Sequence, residues 1–107
     1  MNKEVIYNVT VKVQSSIAND WIKWLLEEHI PAIMQTGCFT THRVVQLLET
    51  DDSEGPTYAI QYHANSISDY QRYIDEHAAH FRQDSIGKWG DRFIAFRSIM
   101  QVIHQPT

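Results

Sequence analysis

The chain opens on strict alternation. From Glu4 to Val13, Val5, Tyr7, Val9, Val11 and Val13 fall on one side and Ile6, Asn8, Thr10 and Lys12 on the other, the period of two that marks a strand. Gln14-Ser15-Ser16 breaks the pattern and offers a hydroxyl cap. Apolar residues then recur at helical spacing from Ile17 to Thr36, and Gly37 supplies the helix stop. Phe39 to Glu49 is rich in β-branched and apolar residues and predicts a second strand, closed by the turn chemistry of Thr50 to Pro56. The return arm, Thr57 to Ala64, alternates Tyr58, Ile60 and Tyr62 with Ala59, Gln61 and His63. Asn65-Ser66 opens a second helix in which Ser66 and Asp69 form a variant capping box. This helix runs to about Lys88, and Asp91 to His104 alternates once more.

The order strand, helix, strand, strand, helix, strand reads as two βαβ halves. It predicts an α+β, ferredoxin-like βαββαβ fold: a four-stranded antiparallel sheet with two helices on one face and the first and third strands in its middle. No linker or low-complexity tract divides the chain, so a single domain over residues 1–107 is expected.

The second sheet face changes the picture. With Val5 to Val13, Tyr58 to Tyr62 and Ile94 to Val102 turned to the helices, the opposite face carries Ile6, Asn8, Thr10, Ala59, Gln61, His63, Phe93, Ala95, Arg97 and Ile99. That set is too apolar for plain solvent and too polar for a dry core. Two such faces packed together in a homodimer would bury the apolar part and leave a small cavity lined by the polar part. The other reading is a monomer with scattered apolar surface residues.

Composition removes several function classes. Nine Lys and Arg against thirteen Asp and Glu give a net charge of -4 with no basic stripe, so a nucleic-acid partner is not expected. No run of eighteen apolar residues occurs, and the N-terminal segment alternates where a signal peptide would be continuously apolar; no membrane association is expected, and the chain reads as a cytoplasmic protein. The single cysteine, Cys38, closes no disulfide within the chain and builds no thiolate zinc cage.

The segments VIYNVTVKV (Val5 to Val13), WIKWLLEEHIP (Trp21 to Pro31), TGCFT (Thr36 to Thr40), YAIQY (Tyr58 to Tyr62) and WGDRFIAFRSIMQVI (Trp89 to Ile103) are spread over nearly the whole length of the chain. Together they resemble a bacterial family of small domains of unknown function. That family is similar to the dimeric α/β-barrel proteins, whose ferredoxin-like members include small monooxygenases, muconolactone isomerases and stress-response barrel proteins. The resemblance implies the fold; chemistry has to come from the site.

His29 is the candidate catalytic residue. At about 100° per residue it sits in the middle of a broad apolar arc formed by Trp21, Ile22, Leu25, Leu26, Ile30, Ala32 and Ile33. An imidazole turned inward is either a structural histidine bonded to a protein acceptor or a base beside a ligand pocket. A comparable His-x-Pro occurs on the first helix of some dimeric α/β-barrel enzymes. Pro31 removes the donor to the Glu27 carbonyl and is expected to kink or open the helix beside His29.

The polar sheet set Asn8, Arg43, Gln61, His63 and Arg97 supplies the candidate ligand-binding residues. An arginine among apolar neighbours takes either an anion or, in a dimer, a carboxylate of the other subunit. His77 and His80 stand one turn apart on the second helix with no third ligand at suitable spacing, so neither a metal nor any cofactor is expected. Trp24 and Trp89 are assigned to the edge of a dimer interface. The preferred reading is a homodimeric small-ligand-binding or structural module. The alternative is a cofactor-free monooxygenase or isomerase acting on a small aromatic or carbonyl compound.

Overall fold

The computed structural model describes residues 3–106; the two first residues and the last of the predicted 1–107 domain lie outside them. Nine elements follow in order: β1 (Val5–Val13), α1 (Ala18–Trp24), a π-helical turn (Leu25–His29), α2 (Ile30–Met34), β2 (Thr41–Gln46), β3 (Thr57–Ala64), α3 (Ile67–Glu76), α4 (Ala78–Trp89) and β4 (Phe93–Gln101). The four strands form one sheet in the order β2-β3-β1-β4, and every neighbouring pair is antiparallel. This is the ferredoxin-like α+β fold, with the first and third strands central.

The core lies between the helices and one sheet face. Val5, Tyr7, Val11 and Val13 of β1 pack with Ile60 and Tyr62 of β3, beneath Trp21, Trp24, Leu25, Ile30 and Ile33 of the first helical segment and Tyr73, Ala78 and Trp89 of the second. Tyr7 is its aromatic centre, with the rings of Phe39, Tyr62, Tyr70 and Tyr73 at centroid distances of 6.1, 6.1, 5.4 and 5.7 Å. Such pairs add about 0.5–1.5 kcal/mol each beyond the area they bury.

Both predicted helices are interrupted, for the same reason. Leu25 and Ile30 are each 2% exposed although five residues apart, a spacing that a continuous α-helix would point in diverging directions. The π-turn spends an extra residue there: the Ile30 N–H donates to the Leu25 carbonyl. Ile30 and Ile33 are thereby rotated back onto the face of Trp21, while Leu26 and Ala32, assigned to the apolar arc from a regular period, turn outward. Pro31 sits at the start of α2 and donates nothing, so the opening expected beside His29 takes the form of this π-turn. In the second segment Tyr73 and Ala78, again five apart, are both buried, and the helix breaks between them at His77 (φ −130°). Serine supplies a cap in one of the two places expected. Ser66 Oγ accepts from the Asp69 N–H at 3.2 Å, whereas the first helix has the apolar Ile17 at its N-cap and no side-chain cap.

The strand predicted over Phe39 to Glu49 is shorter, with Phe39 buried in the core and the chain leaving the sheet after Gln46. The loop that follows docks on the end of β1, where the Val13 N–H donates to the Pro56 carbonyl. Gly55 sits at the closest approach: its φ is 148°, and a Cβ there would fall 1.8 Å from the Val13 carbonyl oxygen.

The assignment of β4 to the two faces is overturned. Its register pairs Phe93 with Val13, Ala95 with Val11, Arg97 with Val9 and Ile99 with Tyr7. Directly opposed residues of an antiparallel pair share a face, so these four face the helices. Ile94, Phe96, Ser98 and Met100 point to the open face with Ile6, Asn8, Thr10, Ala59, Gln61 and His63. Both alternations along β4 carry apolar residues, and only pairing with β1 chooses between them. The open face is consequently more apolar than its sequence phase implied: Phe96 is 68% exposed, Ile94 59% and Met100 39%.

Candidate functional site

β4 is the edge strand next to β1, and the helices do not fully cover it: Phe93 and Ala95 are half-buried and Arg97 is exposed. The uncovered space continues inward as a cavity of about 310 Å³ between β1, β4, the π-turn and α4. Its walls are Val9, Val11, Trp21, Trp24, Leu25, Phe81 and Phe93, and its polar lining includes His29, Tyr7, Tyr73, Arg82, Ser85 and Arg97. On α4, Phe81, Ser85 and Trp89 follow one another at the four-residue spacing of a single helix face; the small Ser85 between two large aromatics leaves room at the middle of that face.

His29 ends the π-turn and enters this cavity. Its ring stacks on Trp24 at 4.4 Å and meets Phe81 edge-on at 5.8 Å. Its Nδ1 is buried without a hydrogen-bond partner. Burial pushes its pKa down from 6.5 to about 4, with Asp84 pulling weakly the other way, so the imidazole is neutral at physiological pH. Tyr7, the core ring centre, accepts a 3.4 Å hydrogen bond at its hydroxyl from Arg82 Nη2. Burial raises the pKa values of Tyr73 and Tyr62, keeping both phenols protonated as hydrogen-bond donors.

The sheet divides the residues singled out from the sequence. His29 and Arg97 meet in the helix-side cavity. Asn8, Arg43, Gln61 and His63 lie on the opposite, open face, where Asn8 Nδ2 donates to Thr10 Oγ1 at 3.0 Å and Arg43 Nη2 to Gln61 Oε1 at 2.9 Å. The enclosed space that one chain forms by itself is therefore across the sheet from the polar set expected to line it. Trp24 and Trp89 are core residues packed edge to face at 5.7 Å, not rim residues. His77 occupies the helix break and His80 is exposed; among the described residues no group of three His, Cys, Asp or Glu side chains is placed to hold a metal ion. Cys38 is buried outside the cavity. Sequence reasoning missed Arg82 and Ser85. The readable signal was the small residue in the Phe81-Ser85-Trp89 row, with Arg82 at its border.

Three comparisons place this geometry among known proteins. Residues 4–103 match the family described as "Domain of unknown function (DUF4286)". No curated protein matches the chain. Among solved structures the chain is similar to SnoaB, a cofactor-independent oxygenase from Streptomyces nogalater, with a TM-score of 0.69, 9% identity and 96% of each chain covered. It is similar to the heme-degrader MhuD from Mycobacterium tuberculosis, solved with two hemes in its active site (TM-score 0.71, 13% identity, 96% of this chain and 99% of that one). A dimeric ferredoxin-like protein from an uncultured marine organism aligns with a TM-score of 0.64 at 8% identity, over 96% of this chain and 98% of that one. At these identities the likeness is one of fold.

Proposed function

Because the chain belongs to that family of unknown function, we propose its role from the cavity: a small-ligand-binding domain that takes a compact aromatic molecule between helices and sheet. The observation that carries this reading is the space itself, about 310 Å³ walled by Trp24 and Phe81 and lined by the imidazole of His29. The buried Nδ1 of His29 has no hydrogen-bond partner, a deficit of about 1–3 kcal/mol that a turn of the ring toward a ligand hydroxyl would recover. The volume lies at the lower end of the roughly 300–1,000 Å³ range of ligand sites, which suits a two-ring molecule. Trp24 and Phe81 supply flat apolar walls around the imidazole.

The test uses 2-naphthol and intrinsic tryptophan fluorescence, since Trp21 and Trp24 line the cavity. Saturable quenching is expected, and Ser85→Phe, which fills the space, is expected to remove it while the protein stays folded by circular dichroism. Naphthol binding that survives the filled cavity would end this reading.

The second element of the proposal is a homodimer through the open sheet face. The exposed Ile94, Phe96 and Met100 on β4 support it, as does the dimeric assembly of the marine ferredoxin-like neighbour.

One observation favours the enzymatic alternative, a cofactor-free oxygenase or isomerase with His29 as base: a neutral imidazole lines the cavity, in a fold shared with SnoaB. A base with a pKa of about 4 is poorly matched to proton abstraction at neutral pH, so binding stands first. Oxygen uptake or product formation from a bound naphthol, absent in His29→Leu, would reverse that order.

A further inference from the structure

We infer that the ligand of this cavity is an aromatic carboxylate, with its charged end held between the guanidiniums of Arg82 and Arg97. The inference deepens the binding reading above and rests on it. Arg82 comes from α4 and Arg97 from β4, so the two cations line the cavity from different layers of the fold. No Asp or Glu lines the same space, although acidic residues outnumber basic ones thirteen to nine in the chain. The cavity thus carries a local charge opposite in sign to that of the whole molecule.

Neither guanidinium is neutralised by the protein. Arg82 spends one N–H on the Tyr7 hydroxyl. Among the described residues the ion pair present is Arg72 with Asp69, elsewhere on the surface, and Arg97 has no hydrogen-bond or ion-pair partner. Both cations act on the same phenol: burial pushes the Tyr73 pKa up, and Arg82 and Arg97 each draw it back. Tyr73, Arg82 and Arg97 all line the one space.

Guanidinium forks match the two oxygens of a carboxylate, and here they stand at the solvent-exposed rim of an apolar space. The rest of the lining fixes the frame of the ligand. Trp24 and Phe81 suit a planar ring, and the neutral imidazole of His29 lines the same space. An anion without a ring leaves the aromatic walls unfilled, and a ring without a charge makes no use of the two guanidiniums.

The decisive experiment is calorimetric titration of the full chain with 2-naphthoate and with 2-naphthol, two probes of nearly equal shape that differ in charge. Naphthoate is expected to bind about tenfold or more tightly than naphthol. R82Q and R97Q are each expected to weaken naphthoate about tenfold and to narrow its advantage over naphthol. Both side chains are solvent-exposed, so neither substitution opens the core. Naphthol binding as tightly as naphthoate, or naphthoate affinity unmoved by both variants, overturns the carboxylate inference and leaves the cavity reading standing. Failure of both probes to bind the wild type removes the cavity reading and this inference with it.

Discussion

His29 concentrates the energetic cost of the site in one side chain. Its pKa falls from 6.5 to about 4 on folding because burial disfavours the charged ring. Between those values the unfolded chain takes up a proton that the native protein refuses, so the contribution of His29 to stability is complete above pH 6.5 and is lost as the pH falls toward 4. The full loss is about 3 kcal/mol. Urea denaturation at pH 7.5 and pH 5 should show the wild type weakening by a large part of this amount and His29→Leu weakening much less; parallel behaviour of the two proteins would mean that the imidazole is not buried in solution. At neutral pH, His29→Leu removes an unpartnered polar atom and keeps apolar contact with Trp24 and Phe81, so it should be as stable as the wild type or about 1 kcal/mol more stable. The same variant should lose naphthol binding. Stability gained where binding is lost is the expected signature of a residue kept for a site.

At the scale of elements, the two helical interruptions do the positioning. Regular helices would have carried Ile30 and Ile33 away from Trp21, and Ala78 away from Tyr73. The π-turn restores the first pair to the core and leaves His29 facing the cavity from its last position. Deleting the exposed Glu28 shortens the Leu25 to Ile30 spacing to four, which a plain α-helix satisfies. We expect that variant to fold, with a melting temperature within a few degrees of the wild type, and to bind naphthol at least tenfold more weakly because the imidazole is displaced. A deletion variant that binds normally would show that the π-turn is incidental to the site. The loop between β2 and β3 gives the opposite kind of element, one with no tolerance. Gly55→Ala puts a methyl group onto the Val13 carbonyl at a backbone angle unsuited to side chains, and should cost about 3 kcal/mol or more by chemical denaturation.

For the whole molecule, the question is what covers the open sheet face. A sheet with helices on one side needs its other side wet or paired, and this one presents Phe96 and Ile94 at its edge strand, 68% and 59% exposed. In the proposed homodimer the solution mass is twice the 12.5 kDa of the chain, and Phe96→Asp, which touches nothing in the core, should give a folded monomer by light scattering. A wild type that is monomeric at tens of micromolar would refute the proposal. Naphthoate affinity measured in Phe96→Asp then tells whether the cavity, which lies on the far side of the sheet, is complete within one subunit.

Alternation and helical spacing in the sequence were enough to determine element order, the Ser66 cap and the inward face of β1, because those features depend on residues close together in the chain; the central strands followed from the handedness of the crossovers. His29 could be recognised as inward-facing for the same reason. The face of β4 could not, since Phe93, Ala95 and Ile99 are as apolar as Ile94, Phe96 and Met100, and pairing with β1 alone breaks that tie. With it went Arg97, which only the register carries from the open face to the cavity. Arg82 gave no local sign of function: its meaning comes from Tyr7, which lies 75 positions away in the chain and 3.4 Å away in space. Periodicity records which side of its own element a residue takes. What stands opposite that side is decided by packing between elements, and the cavity exists only there.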